Sequence, residues 1–250
     1  MLSNQKENSI LKLGPFKTGQ MLYFFGARHT NNPDDSQFTQ LKSVWAEYLD
    51  ISNENRVVFV EGTMREISND YSDAIKLYGE TGAIQWLAKE SNIQVFRPEP
   101  DDVKQRENLC SLFDANIVAY SLIIQNLGAW FKHERESKFE KALENSVKRE
   151  VNFTKIYGFK PDVIWFNNLH KKVFGDQTLE DKDFLDSVSD PRKNGTVVNE
   201  VIASRSKMRN EFIMEKITEA FVLEKSIFIV YGMGHMAVLE GHLRKLFGSN

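Results

Sequence analysis

Two histidines occur in the same local pattern near opposite ends of the chain. His29 ends the sequence GARH, which follows the apolar run Met21–Phe25, and His235 ends GMGH, which follows Ser226–Tyr231. In both places a glycine, two further residues and a histidine come directly after an apolar segment. Glycine at such a position allows a sharp turn of the backbone and the close approach of a ligand. We therefore interpret His29 and His235 as parts of one site.

Other ionisable residues also stand where apolar runs end. Arg28 precedes His29, Glu61 directly follows Arg56–Val60, and Glu99 lies in RPEP after a third run. Open parallel sheets bind ligands beyond the carboxyl ends of their strands, so these side chains are expected at one edge of a sheet. Glu61 is equally compatible with capping the next helix, and Glu99 with a simple turn.

Two imidazoles and a carboxylate at one edge suit two kinds of chemistry. His29, His235 and Glu61 are ligands that bind Mn, Co, Zn or Fe, and a metal with an open position would activate a bound water. Without a metal, one histidine would serve as general base and a glutamate as its orienting or acidic partner. The sequence leaves both chemistries open.

Arg205 and Arg209 lie four residues apart, so they share one face of a predicted helix. Arginines there could hold a carboxylate or phosphate, or pair with nearby glutamates. The remaining histidines, His133, His170 and His242, are in polar or charged surroundings and are interpreted as surface residues.

The elements that must position these residues alternate along the chain. Short apolar runs predict buried strands, and stripes of apolar residues at helical spacing lie between them. The predicted strands are Met21–Phe25, Arg56–Val60, Ile93–Phe96, Val163–Phe166 and Ser226–Tyr231. The predicted helices are Ser36–Leu49, Asp70–Lys89 with an interruption at Gly79, Met208–Leu223 and Met236–Phe247. This alternation predicts an α/β fold, a mostly parallel central sheet with helices on both faces.

The middle of the chain departs from this alternation. A helical insertion is predicted at about residues 101–157, with breaks at Gly128 and at the charged run 132–136, and a polar loop or short helix at about 170–200. No linker composition separates these segments, so we expect residues 1–250 to form a single α/β domain.

Composition excludes several classes of partner. The net charge is −3 with both signs interspersed, so no nucleic acid is expected. The N-terminal segment does not have the pattern of a signal peptide, and no stretch is apolar enough to predict a membrane span. The single cysteine, Cys110, indicates a reducing compartment, and we expect a cytoplasmic protein. A homo-oligomer is compatible with the sequence.

Four short motifs together resemble the TraB/PrgY/GumN family. Its wider relatives include the Tiki-type metalloproteases and the erythromycin-esterase and ChaN-like proteins. The motifs are Gly26–His29, Glu61 in RVVFVEG, Arg209 and Asn210 in MRNEFIMEKI, and Gly232–Met236. The resemblance covers about residues 20–100 and 205–247, and residues 101–200 match no family pattern that we can name.

The resemblance implies a sheet with helices on both faces and a site at the centre of one sheet edge. By position, His29 and His235 become candidate metal ligands, Glu61 a ligand or general base, and Arg209 an electrostatic stabiliser. The chain departs from the family at Arg28, where a small or hydroxyl residue is common. We also expect neither the secretion signal nor the membrane anchor of the animal proteases, which argues against an extracellular peptide substrate.

The leading hypothesis is a metal-dependent hydrolase of peptide or ester bonds, acting on a peptide or small molecule. Water polarised by His29, Glu61 and His235 would attack a carbonyl while Arg209 or Arg28 stabilises the oxyanion. Two alternatives stay open: a non-catalytic protein that binds haem or another small ligand, and an accessory protein that acts through partner contacts.

Overall fold

The computed structural model describes residues 9–62, 66, 68–132 and 138–248. Residues 1–8, the start of the segment compared above with a signal peptide, lie outside the described residues. The chain divides into two compact units. The sheet unit comprises Met1–Glu99 and Asn210–Asn250, and the helical unit comprises Pro100–Arg209. The prediction of a single domain over residues 1–250 stays a prediction beside this division.

The sheet unit contains a five-stranded sheet in the described part of the chain. Its strand order is β1-β2-β5-β3-β4; β1 is antiparallel to β2, and the other neighbours are parallel. The strands are β1 (Ser9–Leu13), β2 (Leu22–Ala27), β3 (Arg56–Val60), β4 (Gln94–Phe96) and β5 (Ser226–Gly232). The predicted α/β fold with a mostly parallel sheet is confirmed. The edge strand β1 was not predicted.

Helices cover both faces of this sheet. They are α1 (Ser36–Ile51), α2 (Tyr71–Glu90), α10 (Met233–Phe247) and the second half of α9 (Val197–Val222). On one face, Tyr23, Phe25 and Phe228 pack in a core with residues of α1 and α2. On the other face, Phe24 and Ile229 pack in a core with residues of α9 and α10. Strands buried on both faces explain the continuous apolar runs in the sequence.

In the described part of the helical unit, every regular element is a helix. They are α3 (Asp102–Leu112), α4 (Ala115–Lys132), α5 (Phe139–Val151), α6 (Thr154–Tyr157), α7 (Val163–Phe174), α8 (Lys182–Ser189) and the first half of α9. Helices therefore occupy the interval 101–157 and continue beyond it. The polar interval at 170–200 holds the short helix α8 between two irregular segments, rather than one continuous loop.

Two predictions in this region are wrong. Val163–Phe166 is the first turn of α7 and not a strand, because the Asp162 side chain caps the helix by accepting from the Trp165 N–H at 2.7 Å. The predicted break at Gly128 is absent, since Gly128 lies inside α4 and its missing side chain leaves room for Ser189. Residues 133–136 of the charged run lie outside the described residues.

None of the described helices is both long enough and apolar enough to cross a membrane.

The core around β5 generates the first prediction. Phe228 is fully buried, and its ring packs edge-to-face on Trp45 and Tyr48 and stacks on Tyr23. Phe228→Ala would leave a cavity among these rings, so we expect the free energy of unfolding to fall by about 3–5 kcal/mol. Urea denaturation followed by circular dichroism measures the change.

Val222→Ala is the control, because Val222 is 74% exposed at the end of α9. We expect this substitution to change the free energy of unfolding by no more than about 0.5 kcal/mol. Equal denaturation midpoints for the two variants would contradict the proposed core.

Candidate functional site

The carboxyl ends of three parallel strands meet at the centre of the sheet. β5 lies between β2 and β3, with Gly232 opposite Ala27 of β2 and Val230 opposite Val60 of β3. His29 comes two residues after β2, Glu61 directly follows β3, and His235 lies in the first turn of α10. The strand order therefore brings these three predicted residues to the same edge.

Glu61 is held in place at the end of β3 by contacts to the end of β5 and the start of α10. Its Oε2 accepts from the Gly232 backbone N–H at 2.9 Å, and its Oε1 lies 3.3 Å from His235 Nε2. Its own backbone N–H donates to the Val230 carbonyl at 3.1 Å. The Thr81 hydroxyl donates to the Glu61 carbonyl at 2.9 Å. Glu61 is thus fixed by both its side chain and its backbone, with the side chain 21% exposed.

His235 is oriented by an amide partner. Its Nδ1 lies 2.8 Å from Asn210 Oδ1 on α9. An amide oxygen only accepts, so Nδ1 donates to Asn210, and Nε2 is the ring nitrogen that faces Glu61. The ring also packs edge-to-face on Tyr231, and the side chain is only 13% exposed. His235 is therefore largely enclosed with one fixed orientation.

His29 is oriented by a carboxylate partner. Its Nδ1 hydrogen-bonds to Glu80 Oε1, and its Nε2 lies near the backbone of Gly232. A Cβ atom at Gly232 would be 2.7 Å from His29 Nε2 and 3.3 Å from Glu61 Oε2. Only glycine leaves enough room there, which gives a physical reason for the glycine that begins the second histidine motif. We call His29, Glu61, Glu80, Asn210 and His235 the sheet-edge cluster.

A kink in α2 accompanies the placement of Glu80. Gly79 has φ 58° and ψ −138° inside that helix, so the predicted interruption at Gly79 is confirmed. A Cβ at Gly79 would lie 2.8 Å from the carbonyl oxygen of Thr30, the residue after His29. The kinked turn therefore packs directly against the loop that carries His29, and Glu80 follows the kink by one residue.

Glu80 makes His29 a cation at neutral pH. The pKa of His29 is raised to about 9, chiefly by the hydrogen bond that its Nδ1–H donates to Glu80; partial burial opposes this rise, and the charges of Glu80 and Glu61 add to it. An imidazolium donates from both nitrogens, so Nε2–H is a donor beside Gly232. The side chain of His29 is 44% exposed and can be reached from solvent.

The contact that the structure describes for the Arg28 guanidinium lies at the start of α1 and does not involve His29, Glu61 or His235. Its guanidinium donates to Asp35 Oδ1 at 2.6 Å, and Asp35 is the N-cap of α1. Its backbone N–H and carbonyl pair with the side-chain amide of Gln37 at 3.0 and 2.8 Å. These contacts fix the loop after β2 to the first turn of α1.

Glu99 and Arg209 belong to different units. Glu99 lies three residues after β4 in a turn where its N–H donates to the Arg97 carbonyl at 2.9 Å. Arg209 is a half-buried residue of α9 in the helical unit. The catalytic roles assigned to both stay predictions.

Two members of the cluster were missed from the sequence. Glu80 had a signal, because it directly follows the glycine whose interruption of the helix was predicted. Asn210 also had one, because it is the second residue of the Arg-Asn pair in the family resemblance, where only Arg209 was given a role.

The cluster offers an incomplete set of donors for a metal. Within residues 9–62, 66, 68–132 and 138–248, no group of three His, Cys, Asp or Glu side chains is arranged to hold a metal ion. Glu61 and His235 form a pair of donors, and His29 faces them from across Gly232. The assignment of His29, Glu61 and His235 as metal ligands therefore stays a prediction.

Comparison of the chain with protein-family models, curated proteins and solved structures gives no match. The resemblance to the TraB/PrgY/GumN family therefore stays a prediction that rests on four short motifs.

The His29–Glu80 pair generates the second prediction. Glu80→Gln removes the negative charge but keeps the size of the side chain and an oxygen that can accept from Nδ1. We expect the pKa of His29 to fall from about 9 towards its ordinary value of 6.5, because the hydrogen bond that His29 donates to the charged Glu80 carboxylate is the largest cause of the shift. NMR titration of the histidine ring resonances measures both values, with the exposed His242 ring as internal reference.

The same pair makes stability depend on pH. Because folding raises the pKa of His29, its contribution is present below pH 6.5 and is lost as the pH rises through about 9. Glu80→Gln should weaken this dependence. An identical titration of His29 in both proteins would contradict the role of Glu80.

Proposed function

We propose that this chain is a hydrolase of ester or amide bonds and that the sheet-edge cluster is its reaction centre. One observation supports this most directly. The Nε2 atoms of two histidines face the region of Glu61, while Glu80 and Asn210 hold the Nδ1 atoms. Fixed orientation of an acid and a base is what acid–base catalysis requires of its side chains.

His235 acts as the general base. Asn210 accepts from Nδ1, so Nε2 is the nitrogen that takes a proton from water. The carboxylate of Glu61, 3.3 Å away, stabilises the imidazolium that forms. The low exposure of His235 strengthens this electrostatic interaction, because little water screens it.

His29 acts as the general acid. Glu80 keeps it protonated at neutral pH, and its Nε2 lies beside Gly232. The water oxygen bonds to the carbonyl carbon, and the bond from that carbon to the leaving oxygen or nitrogen breaks. His235 takes the proton of the water, and His29 gives a proton to the leaving group. Solvent then returns the protons to their starting positions.

The substrate class is a peptide or a small molecule with an ester or amide bond. The single cysteine favours a reducing compartment, so we place the reaction in the cytoplasm. The modest net charge of −3 favours an uncharged or weakly charged partner.

Separate His29→Gln and His235→Gln variants test the roles of acid and base. We expect each to lower kcat by about 10²–10⁴-fold, the usual contribution of a positioned acid or base. The measurement is hydrolysis of a panel of p-nitrophenyl esters and fluorogenic peptides, with circular dichroism to establish that the variants fold. His242→Gln is the matched control, because His242 is exposed on α10, and it should retain full activity. Hydrolysis that persists in both site variants would contradict the proposal.

Elemental analysis separates this mechanism from the metal-dependent one. Because the proposed acid and base are both side chains of the chain, we expect hydrolysis to survive dialysis against EDTA. We also expect the wild type to carry no more transition metal than a His29→Ala, His235→Ala double variant. About one metal per chain in the wild type and none in the double variant would instead establish a metal centre of the predicted ligands.

A further inference from the structure

Arg205 in the helical unit has two neutral partners. Its Nε donates to Gln105 Oε1 at 3.3 Å, and one terminal nitrogen, Nη1, donates to Gln125 Oε1 at 2.7 Å. In the part of the chain that the structure describes, no carboxylate hydrogen-bonds or ion-pairs with Arg205. Its positive charge is therefore held in place without being neutralised.

The nearest carboxylates are already committed to another arginine. Glu150 is fully buried and binds Arg106 through both of its oxygens, at 2.7 and 2.9 Å. It also accepts from the Tyr157 hydroxyl. Asp102 lies 3.4 Å from the same guanidinium. The positive charge of Arg106 is thus neutralised by carboxylates of the same unit, whereas the positive charge of Arg205 is not paired with a carboxylate in the described residues.

The surroundings of Arg205 destabilise its charged form. Burial is the largest cause that lowers its pKa to about 10; the charges of Arg209 and Arg106 also lower it, and those of Asp102 and Glu150 oppose this. A cation in such an environment is stabilised by an anion brought close to it, because the interaction is less screened than in water.

The geometry leaves donors available for such an anion. Gln105 and Gln125 fix the plane of the guanidinium, and the other terminal nitrogen, Nη2, has no acceptor among the described residues. Some buried side-chain atoms among the described residues have no hydrogen-bond partner, but Nη2 is not one of these buried atoms. The described hydrogen bond of Gln125 uses its Oε1, so its Nε2–H groups remain to donate. Guanidinium and amide N–H groups side by side match the oxygens of one oxyanion.

We propose that Arg205 and Gln125 form a binding site for an oxyanion, the carboxylate or phosphate group of a small ligand. The site lies within the helical unit and goes beyond the proposed hydrolase centre. Its ligand is held by two-point hydrogen bonding and by charge, so chloride is a poor substitute.

Thermal denaturation of the full chain in different anions tests the site. In about 20 mM phosphate we expect the Tm to rise by about 3 °C or more over sodium chloride of equal ionic strength. Sodium acetate replaces phosphate in a parallel series, so that the two sources of oxyanion are compared directly. Isothermal titration calorimetry with phosphate and with acetate then measures each Kd.

Three variants make the result specific. Arg205→Gln should abolish the phosphate or acetate effect. Gln125→Glu places an internal carboxylate at the Arg205 guanidinium, so it should raise the Tm without added oxyanion and also abolish the effect. Arg149→Gln is the matched control, because Arg149 also donates to a neutral amide, Asn126 Oδ1, but is exposed. This variant should retain the full effect.

Stabilisation by phosphate alone supports a phosphate-bearing ligand, and stabilisation by acetate alone supports a carboxylate ligand. Equal stabilisation of wild type and Gln125→Glu would overturn the proposal, because the anion would then bind elsewhere. Absence of any effect of phosphate and acetate on the wild type would overturn it as well. The Gln125→Glu comparison keeps the test decisive even if Arg205→Gln does not fold.

Discussion

The position of β5 between β2 and β3 is the constraint on which the rest of the sheet unit depends. Its parallel pairing on both sides places Gly232 beside Ala27 and Val230 beside Val60. A slip of one residue would turn every buried side chain of β5 to the opposite core, so the two apolar cores fix the register. Residues at the two ends of the chain thereby meet at one sheet edge.

The two histidines at that edge differ in the partner that holds Nδ1. Glu80 carries a negative charge, so it fixes the orientation of His29 and also favours the imidazolium. Asn210 carries no charge, so it orients the ring of His235 through Nδ1, while the charged neighbour of this ring, Glu61, lies at Nε2. Two side chains of the same type thus receive different roles from their environments, as acid–base pairs do in general.

Much of this arrangement could be predicted from the sequence, and the failures have physical causes. Apolar runs locate β2, β3 and β5, because strands buried on both faces need continuous apolar sequence. The run at Ile93–Phe96 also locates β4, but β4 is a partly exposed edge strand and not a buried one. The same criterion fails at Val163–Phe166, where composition alone does not distinguish a strand from a helix start capped by Asp162. Glu80 was missed although it follows the predicted interruption at Gly79, because its partner depends on how that turn packs against Thr30. That tertiary contact leaves little trace in the local sequence.

The helical unit applies the same logic to a different charge. Arg106 and Arg205 are both guanidiniums packed among helices, but one has a buried carboxylate and the other has two amides. If Arg205 served only to join helices, a carboxylate partner such as Glu150 would stabilise it better, because the charges would cancel. Amide partners hold the guanidinium in one orientation and leave its charge available. A cation that is fixed in place by uncharged partners is the arrangement in which the binding of an anion from solution has the most favourable free energy.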